Sequence, residues 1–396
     1  MFNFPGLRNY LKIFSPITII LLITTFVFGI FYYSNNQYLT SKINTLKAEN
    51  SLTSKKLASV SGELTALKSE DQLVRNNKLQ EEIKNIQTTY GLAVSTYEKL
   101  LDVKTVSKDT TEIDEIYARS LKLLSERNFA SSAALLSQIS KQIQGEKEKV
   151  SASFNIAANV PVNNAVPLSG FRRQQVQVDG SNFLVDIVSA DLGSTRVIVD
   201  TASDSDCSSN CPVLSLGDYV SRNGAFAGIN GSYFCPSTYP SCAGKENTFD
   251  LLVMNKNKHY FNSDNNVYSN NPAVIFGSGW IRFVGKAQEW GRDTAVDGVL
   301  SNFPLLVSGS SVVYSDNPDP KFNSKGPRGF VANKGSTVYI GFVYNATMGE
   351  SARALKVLGV ENAMNLDEGG STALWSGGYK AGPGRNIPNA ILFVRK

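Results

Sequence analysis

From Ile13 to Tyr33 the chain reads IFSPITIILLITTFVFGIFYY, 21 residues without a charge. As a helix this run is long enough to cross the about 30 Å of hydrocarbon in a bilayer. Arg8 and Lys12 precede it, and Phe2, Phe4, Tyr10, Tyr32, Tyr33 and Tyr38 crowd its two ends as interfacial aromatics do. The run exceeds the apolar region of a signal peptide, and FGIFYYSNN offers no small-x-small cleavage pattern. Residues 1–35 therefore read as a cytoplasmic tip and an uncleaved anchor whose span is 13–33, which makes the membrane one partner of the chain.

Cysteine usage points to the compartment on the far side. Cys207, Cys211, Cys235 and Cys242 form one x3-spaced and one x6-spaced pair. Neither pair has the x2 spacing of a zinc knuckle, and two local disulfides are the preferred reading over a metal site. Disulfides place the C-terminal part outside the cytoplasm, giving a single-pass protein with an extracytoplasmic domain. The net charge of +5 does not signal nucleic acid: residues 151–396 hold 20 basic against 19 acidic residues, too balanced for a polyanion-binding face. His259 is the sole histidine, so zincin sites and a Ser-His-Asp triad are excluded. The chemistry must rest on carboxylates, arginines, amides and hydroxyls, with no cofactor and no metal called for.

Behind the anchor, residues 36–150 read as a helical stalk. Leu39, Ile43, Leu46, Asn50, Thr53, Leu57, Val60, Leu64, Leu67 and Val74 share the a and d positions of one heptad frame, interrupted at Asp71. Both a coiled coil that drives self-association and a single helix packed on a partner fit this pattern. Residues 112–149 carry two apolar periodicities separated by Asn128-Phe129 and predict a helical hairpin. Residues 151–170 lose periodicity and gain Pro and Asn, as a linker does. From 171 to 396, β-type runs (QQVQV, FLVDIVSA, RVIVD, LLVMN, AVIFGS, STVYIGFVY, AILFV) outnumber helical ones. The fold class expected is α+β with a mixed, mainly antiparallel sheet. GESARALKVLG predicts a helix stopped by Gly359.

Within that last region lies NLDEGGST, Asn365 to Thr372. Read alone it is a turn, because glycines accept positive φ and an Asp before them is common turn chemistry. Three further stretches accompany it: AGINGSYF (227–234), GPRGF (326–330) and GRNIPNAILF (384–393). Together and in this order they resemble the phosphodiester glycosidase family over residues 171–396. The family's Asn-Gly-Gly-Phe-Phe motif falls on Asn230 to Phe234, and its Pro-Arg-Thr-Ala motif on Pro327 to Phe330. Its Asn-Leu-Asp-Gly-Gly-Gly-Ser motif falls on Asn365 to Ser371, and its late Arg and Pro-Asn-Ala on Arg385 and 388–390. Glu368 stands where the family has the first glycine of its triple, and Gly329 where it has threonine.

The resemblance implies hydrolysis of a sugar linked through its anomeric carbon to a phosphodiester. Cleavage of that bond builds positive charge on the ring while phosphate leaves with negative charge, so a carboxylate and cationic donors are both required. Asp367 suits the base or nucleophile, and Glu368 an acid. Arg328 and Arg385 suit the phosphate; Asn230, Asn365, Gly369, Gly370 and Ser371 suit substrate binding. The substrate expected is an envelope polysaccharide or glycolipid phosphodiester. The other reading is a non-catalytic carbohydrate-binding or scaffolding module, with Glu368 and Gly329 as marks of lost activity.

Overall fold

The computed structural model describes residues 16–69, 71–107, 109–262, 269–293, 295–315 and 317–396. The start of the anchor run, with its flanking Arg8 and Lys12, lies outside them. The chain divides into two compact units, Met1–Lys84 and Asn85–Lys396.

In the first unit, α1 spans Pro16–Ser69 and α2, Asp71–Lys104, begins. Among the described residues this is the one place where a helix is long and apolar enough to cross a membrane. Beyond the apolar run, Leu39, Ile43, Leu46, Leu57, Val60, Leu64 and Leu67 remain exposed along α1.

The second unit starts inside α2, well before the linker at 151–170. Here α3 (Thr111–Ser125) and α4 (Phe129–Ser153) form the predicted hairpin and close on the end of α2. Leu100, Val103, Ile113, Ile116, Leu124, Leu136, Ile139 and Ile143 make its core. Asn128 caps α4 by accepting from the Ser131 amide at 3.2 Å, and Lys104 pairs with Asp114 at 2.7 Å. The stalk therefore does not end as one spacer: its helices from Asn85 onward pack as part of the larger unit, because their apolar faces complete a core of their own. The expected linker is also held, since the buried Gln174 amide donates to the carbonyls of Asn163 at 2.6 Å and Ala165 at 3.0 Å.

The remainder is α+β, and every strand pair among the described residues is antiparallel. A seven-stranded sheet runs β1 (Gly170–Val178), β2 (Ser181–Asp191), β13 (Thr337–Ala346), β12 (Gly326–Lys334), β14 (Asn362–Asn365), β10 (Leu305–Ser308) and β11 (Ser311–Val312). A five-stranded sheet runs β16 (Tyr379–Ala381), β15 (Leu374–Ser376), β4 (Ala227–Asn230), β17 (Asn389–Arg395) and β3 (Thr195–Thr201). The third runs β6 (Tyr260–Phe261), β5 (Val253–Met254), β9 (Gly298–Ser301), β7 (Ala273–Gly277) and β8 (Trp280–Val284). Val188, Val199, Ile229, Phe276, Leu300, Ile340, Phe342, Met364 and Ile391 share one core, so the three sheets bury their apolar faces against each other.

Among the described residues, three short helices flank the sheets: α5 (Leu216–Asn223), α6 (Pro320–Asn323) and α7 (Met348–Val357). The last is the predicted helix. Thr347 and Glu350 form a reciprocal capping box, with bonds of 3.2 Å and 2.7 Å, and Gly359 takes φ +79° just beyond its end. The unpredicted α5 obeys the same grammar, with Ser215 as N-cap and Gly224 at φ +60°.

Cys207–Cys211 and Cys235–Cys242 are the two disulfides, with Cα atoms 5.9 Å and 5.5 Å apart. Each closes a short loop, as the spacing led one to expect. Peptide mapping without reductant is expected to recover these two links, and thiol reagents to label the cysteines only after reduction. A peptide joining one pair to the other would overturn the connectivity.

Candidate active site

The four motifs meet around Leu366–Ser371. β14 ends at Asn365, two residues before Asp367, and from there the backbone is held by the other motifs rather than by the sheet. The Leu366 amide donates to the Gly329 carbonyl at 3.0 Å, and the Asp367 amide to the Gly231 carbonyl at 2.9 Å. Asn230 spans the gap from the other sheet. Its Nδ2 donates to the Asp367 carbonyl at 2.7 Å, while its Oδ1 accepts from the Ala373 amide at 3.1 Å. On the far side the Arg385 amide donates to the Gly370 carbonyl at 2.7 Å. Gly369 adopts φ +64° to open the one-turn 3₁₀ segment Gly369–Ser371, a conformation unfavourable for an L side chain.

Asp367 and Glu368 line a cleft of about 480 Å3 together with Tyr233, Lys321, Arg328 and Ser371. The Asp367 carboxylate accepts from the Glu368 amide at 2.9 Å, and Ser371 also bonds to it. Burial raises its pKa to about 6, against the opposing pull of Ser371, the Glu368 amide, Arg385 and Lys321. Burial likewise pushes the Glu368 carboxyl up, opposed by Arg328. Glu368 Oε1 accepts from Arg328, whereas Oε2 is buried without a hydrogen-bond partner. Two adjacent carboxylates are thus presented to one space, one held by neutral donors and the other by a guanidinium.

Arg328 itself is almost wholly buried, with 3% of its side chain exposed. Nε donates to the Ala346 carbonyl at 3.0 Å; Nη1 reaches Glu368; Nη2 donates to the carbonyls of Lys321, at 3.1 Å, and Ser324. These contacts engage four of the five donors of a guanidinium. Its first business is holding Glu368 and the α6 turn. Arg385 does not line the cleft; it lies over the Tyr239 ring, 5.3 Å from the centroid.

Asn230 and Asn365 lie behind the cleft, both fully buried. Asn365 Nδ2 donates to the Tyr233 hydroxyl at 2.7 Å and to the Leu366 carbonyl at 2.8 Å. Asn302, absent from the sequence reading, completes this layer by donating to the Asn365 carbonyl at 2.8 Å and accepting from the Tyr233 amide at 3.1 Å. Asn389 accepts from the Ser232 amide at 3.0 Å and donates to its hydroxyl at 3.1 Å. Gly329 also finds a reason: a β-carbon there would stand 3.0 Å from the Phe342 ring and 3.1 Å from the Asp367 carbonyl, so a threonine would need that ring to move. Lys321, likewise missed, is set in the cleft by α6, which Asp319 caps by accepting from the Lys321 amide at 2.9 Å. An Asp-Pro pair opening a turn was its available signal.

Residues 223–394 match the family model described as phosphodiester glycosidase. The matched range contains all four motifs that meet at the cleft. No curated protein matches the chain. Among solved structures it is similar to the zebrafish N-acetylglucosamine-1-phosphodiester alpha-N-acetylglucosaminidase catalytic domain, auto-inhibited by its pro-peptide. The identity is 14% and the TM-score 0.45, with 60% of this chain and 87% of that one covered. A hypothetical protein from Synechocystis gives the same identity and TM-score over 57% of this chain; the likeness spans 62% of that protein's length.

Gly231 tests the knitting of the motifs. A β-carbon at this position would overlap the Asn389 side-chain amide and approach its carbonyl to 3.1 Å. Gly231→Ala is expected to lower stability by about 2 kcal/mol or more, and to lose activity in whatever fraction stays folded. Thermal denaturation and turnover of the soluble fraction check this together.

Proposed function

We propose that residues 171–396 act as a phosphodiester glycosidase domain and hydrolyse a glycosyl phosphodiester outside the cytoplasm. The observation that carries this reading is the pair Asp367 and Glu368, delivered to one cleft by four separate motifs. Asp367 acts as base for water or as nucleophile at the anomeric carbon. Its partial withdrawal from water in the cleft favours the neutral acid until the pH passes its raised pKa. Glu368, fixed through Oε1 by Arg328, lines the same cleft and meets the positive charge that grows on the ring. Phosphate departs as an anion without needing a proton, so no dedicated acid is obligatory. Asn230, Asn302 and Asn365 act through backbone and Tyr233, holding the loop in place rather than touching sugar.

The apolar run on α1 supports anchoring in a membrane, and the two disulfides support an oxidising compartment for the domain. The substrate would then be a polysaccharide or glycolipid of the cell envelope, within reach of a stalk. The exposed heptad residues of α1 support self-association there.

Hydrolysis of a panel of glycosyl phosphodiesters by the full chain tests the activity. Asp367→Asn keeps size and most hydrogen bonds but removes the charge, and turnover is expected to fall by about a hundredfold or more. Because the carboxylate is the working form, kcat/KM should rise as pH increases through about 6 and then level off, and the residual rate of Asp367→Asn should lack that limb. A folded Asp367→Asn protein with undiminished hydrolysis would overturn the assignment. Glu368→Gly, which restores the family's triple glycine, is expected to reduce activity; a gain would favour the non-catalytic reading of the natural domain. Sedimentation of the ectodomain with and without residues 36–84 checks the stalk, a monomer in both cases being the result against self-association.

A further inference from the structure

The glycosidase-like segment does not wall the cleft alone. Asp102 near the end of α2, Thr105 and Val106 just beyond it, and Lys147, Val150 and Ser151 on α4 form part of the lining. This helical wall is fastened to the sheets. The Tyr239 hydroxyl donates to Asp102, the Ser241 amide donates to Glu98 Oε1 at 2.9 Å, and Asn345 Nδ2 donates to the Ser151 carbonyl at 3.1 Å. The first two bonds come from inside the Cys235–Cys242 loop, so that disulfide stiffens the very segment on which the helices rest.

The cations of the cleft differ in how far they are already committed. Arg328 is engaged by Glu368 and three carbonyls. Lys325 pairs with Glu350 at 3.3 Å. Lys147 and Lys321 make no ion pair among the described residues; Lys321 lies over the Tyr233 ring, 5.6 Å from its centroid. Burial pushes the Lys147 ammonium down from its ordinary value, with Asp102 opposing and with Lys99, Arg328 and Lys321 adding to the fall. A cation withdrawn from water among other cations is stabilised by an incoming anion.

We propose that Lys147 of α4 and Lys321 of α6 together hold the phosphate of the substrate, so that the helical segment before the glycosidase-like domain supplies half of the phosphate site. This rests on the reading of the cleft as a glycosyl-phosphodiester site. It places the sugar against Asp367 and Glu368 and the phosphate toward the helices, with Arg328 between them as the group that fixes Glu368. Specificity for what lies beyond the phosphate then falls to Asp102, Val106 and Val150, residues outside the family-matched range 223–394.

The test is titration of the full-length chain, in detergent, with inorganic phosphate, followed by KM for a glycosyl phosphodiester. Lys147→Met is expected to weaken phosphate binding and raise KM by roughly ten- to a hundredfold, the range for losing one charge-assisted hydrogen bond. Lys147→Arg keeps the charge and should recover most of both. Unchanged phosphate affinity in Lys147→Met, with wild-type melting, would overturn the proposal. Should Lys147→Met not fold, acetylation of the wild-type chain decides. Phosphate should protect Lys147 but not Lys55 on α1, and equal modification of the two with and without phosphate would count against the site. Because phosphate binding needs no turnover, a chain that binds it through Lys147 yet hydrolyses no glycosyl phosphodiester supports this site and overturns the proposed function. A chain that hydrolyses with Lys147-independent phosphate affinity does the reverse.

Discussion

The segment Leu366–Ser371 follows a strand but belongs to no sheet, and its backbone polar groups must still be satisfied where it is buried. Asn230 and Gly231 from one motif, Gly329 from a second and Arg385 from a third satisfy them. Three of the four motifs are therefore mainly the hydrogen-bonding partners of one short loop in the fourth. Remove that pairing and the two carboxylates have nothing to aim them. The seven-stranded and five-stranded sheets exist, for function, to bring β12 and β14 from one side and β4 and β17 from the other to the same six residues.

Charge is arranged on the same plan. Glu368 could be buried only beside a cation, since an unpaired carboxylate in that position would simply take up a proton. Arg328 meets this demand and, through the carbonyls of Lys321 and Ser324, ties the short helix α6 to the same network. The cost is that its donors are largely engaged before any substrate arrives. Asp367 lacks such a partner and is held by an amide and a hydroxyl, although burial raises the pKa of both carboxylates. Neighbouring carboxylates in sequence thus acquire different characters from their surroundings.

The helices after Asn85 change what the chain's architecture means. A stalk that only lifted a domain off a membrane would need no contact with the cleft, yet here α2 and α4 supply lining residues, and α2 accepts hydrogen bonds from the disulfide loop. The apolar heptad positions of α1, by contrast, find nothing to cover them within their own unit. One helical region lines the cleft, and the other leaves its apolar positions exposed.

The sequence by itself determined the apolar span, the local disulfides, the hairpin at 112–149, the strands β1, β2, β3, β5, β7, β13 and β17, and Asp367 with Glu368 as the carboxylates to watch. These follow from short-range physics: uncharged length, cysteine spacing, periodicity, and glycines where a loop must turn. Only the tertiary structure decided which polar residues face the cleft. Arg328 and Asn230 look like ligands in a motif, but burial turns Arg328 to Glu368 and to carbonyls, and Asn230 to the Asp367 backbone. Lys147 and Asp102 look like solvated helix residues, and the docking of α2 on the Tyr239 loop and of α4 beside Asn345 brings them in. A side chain's partners lie up to more than two hundred positions away in sequence, and no local pattern records which end of a buried network is left free.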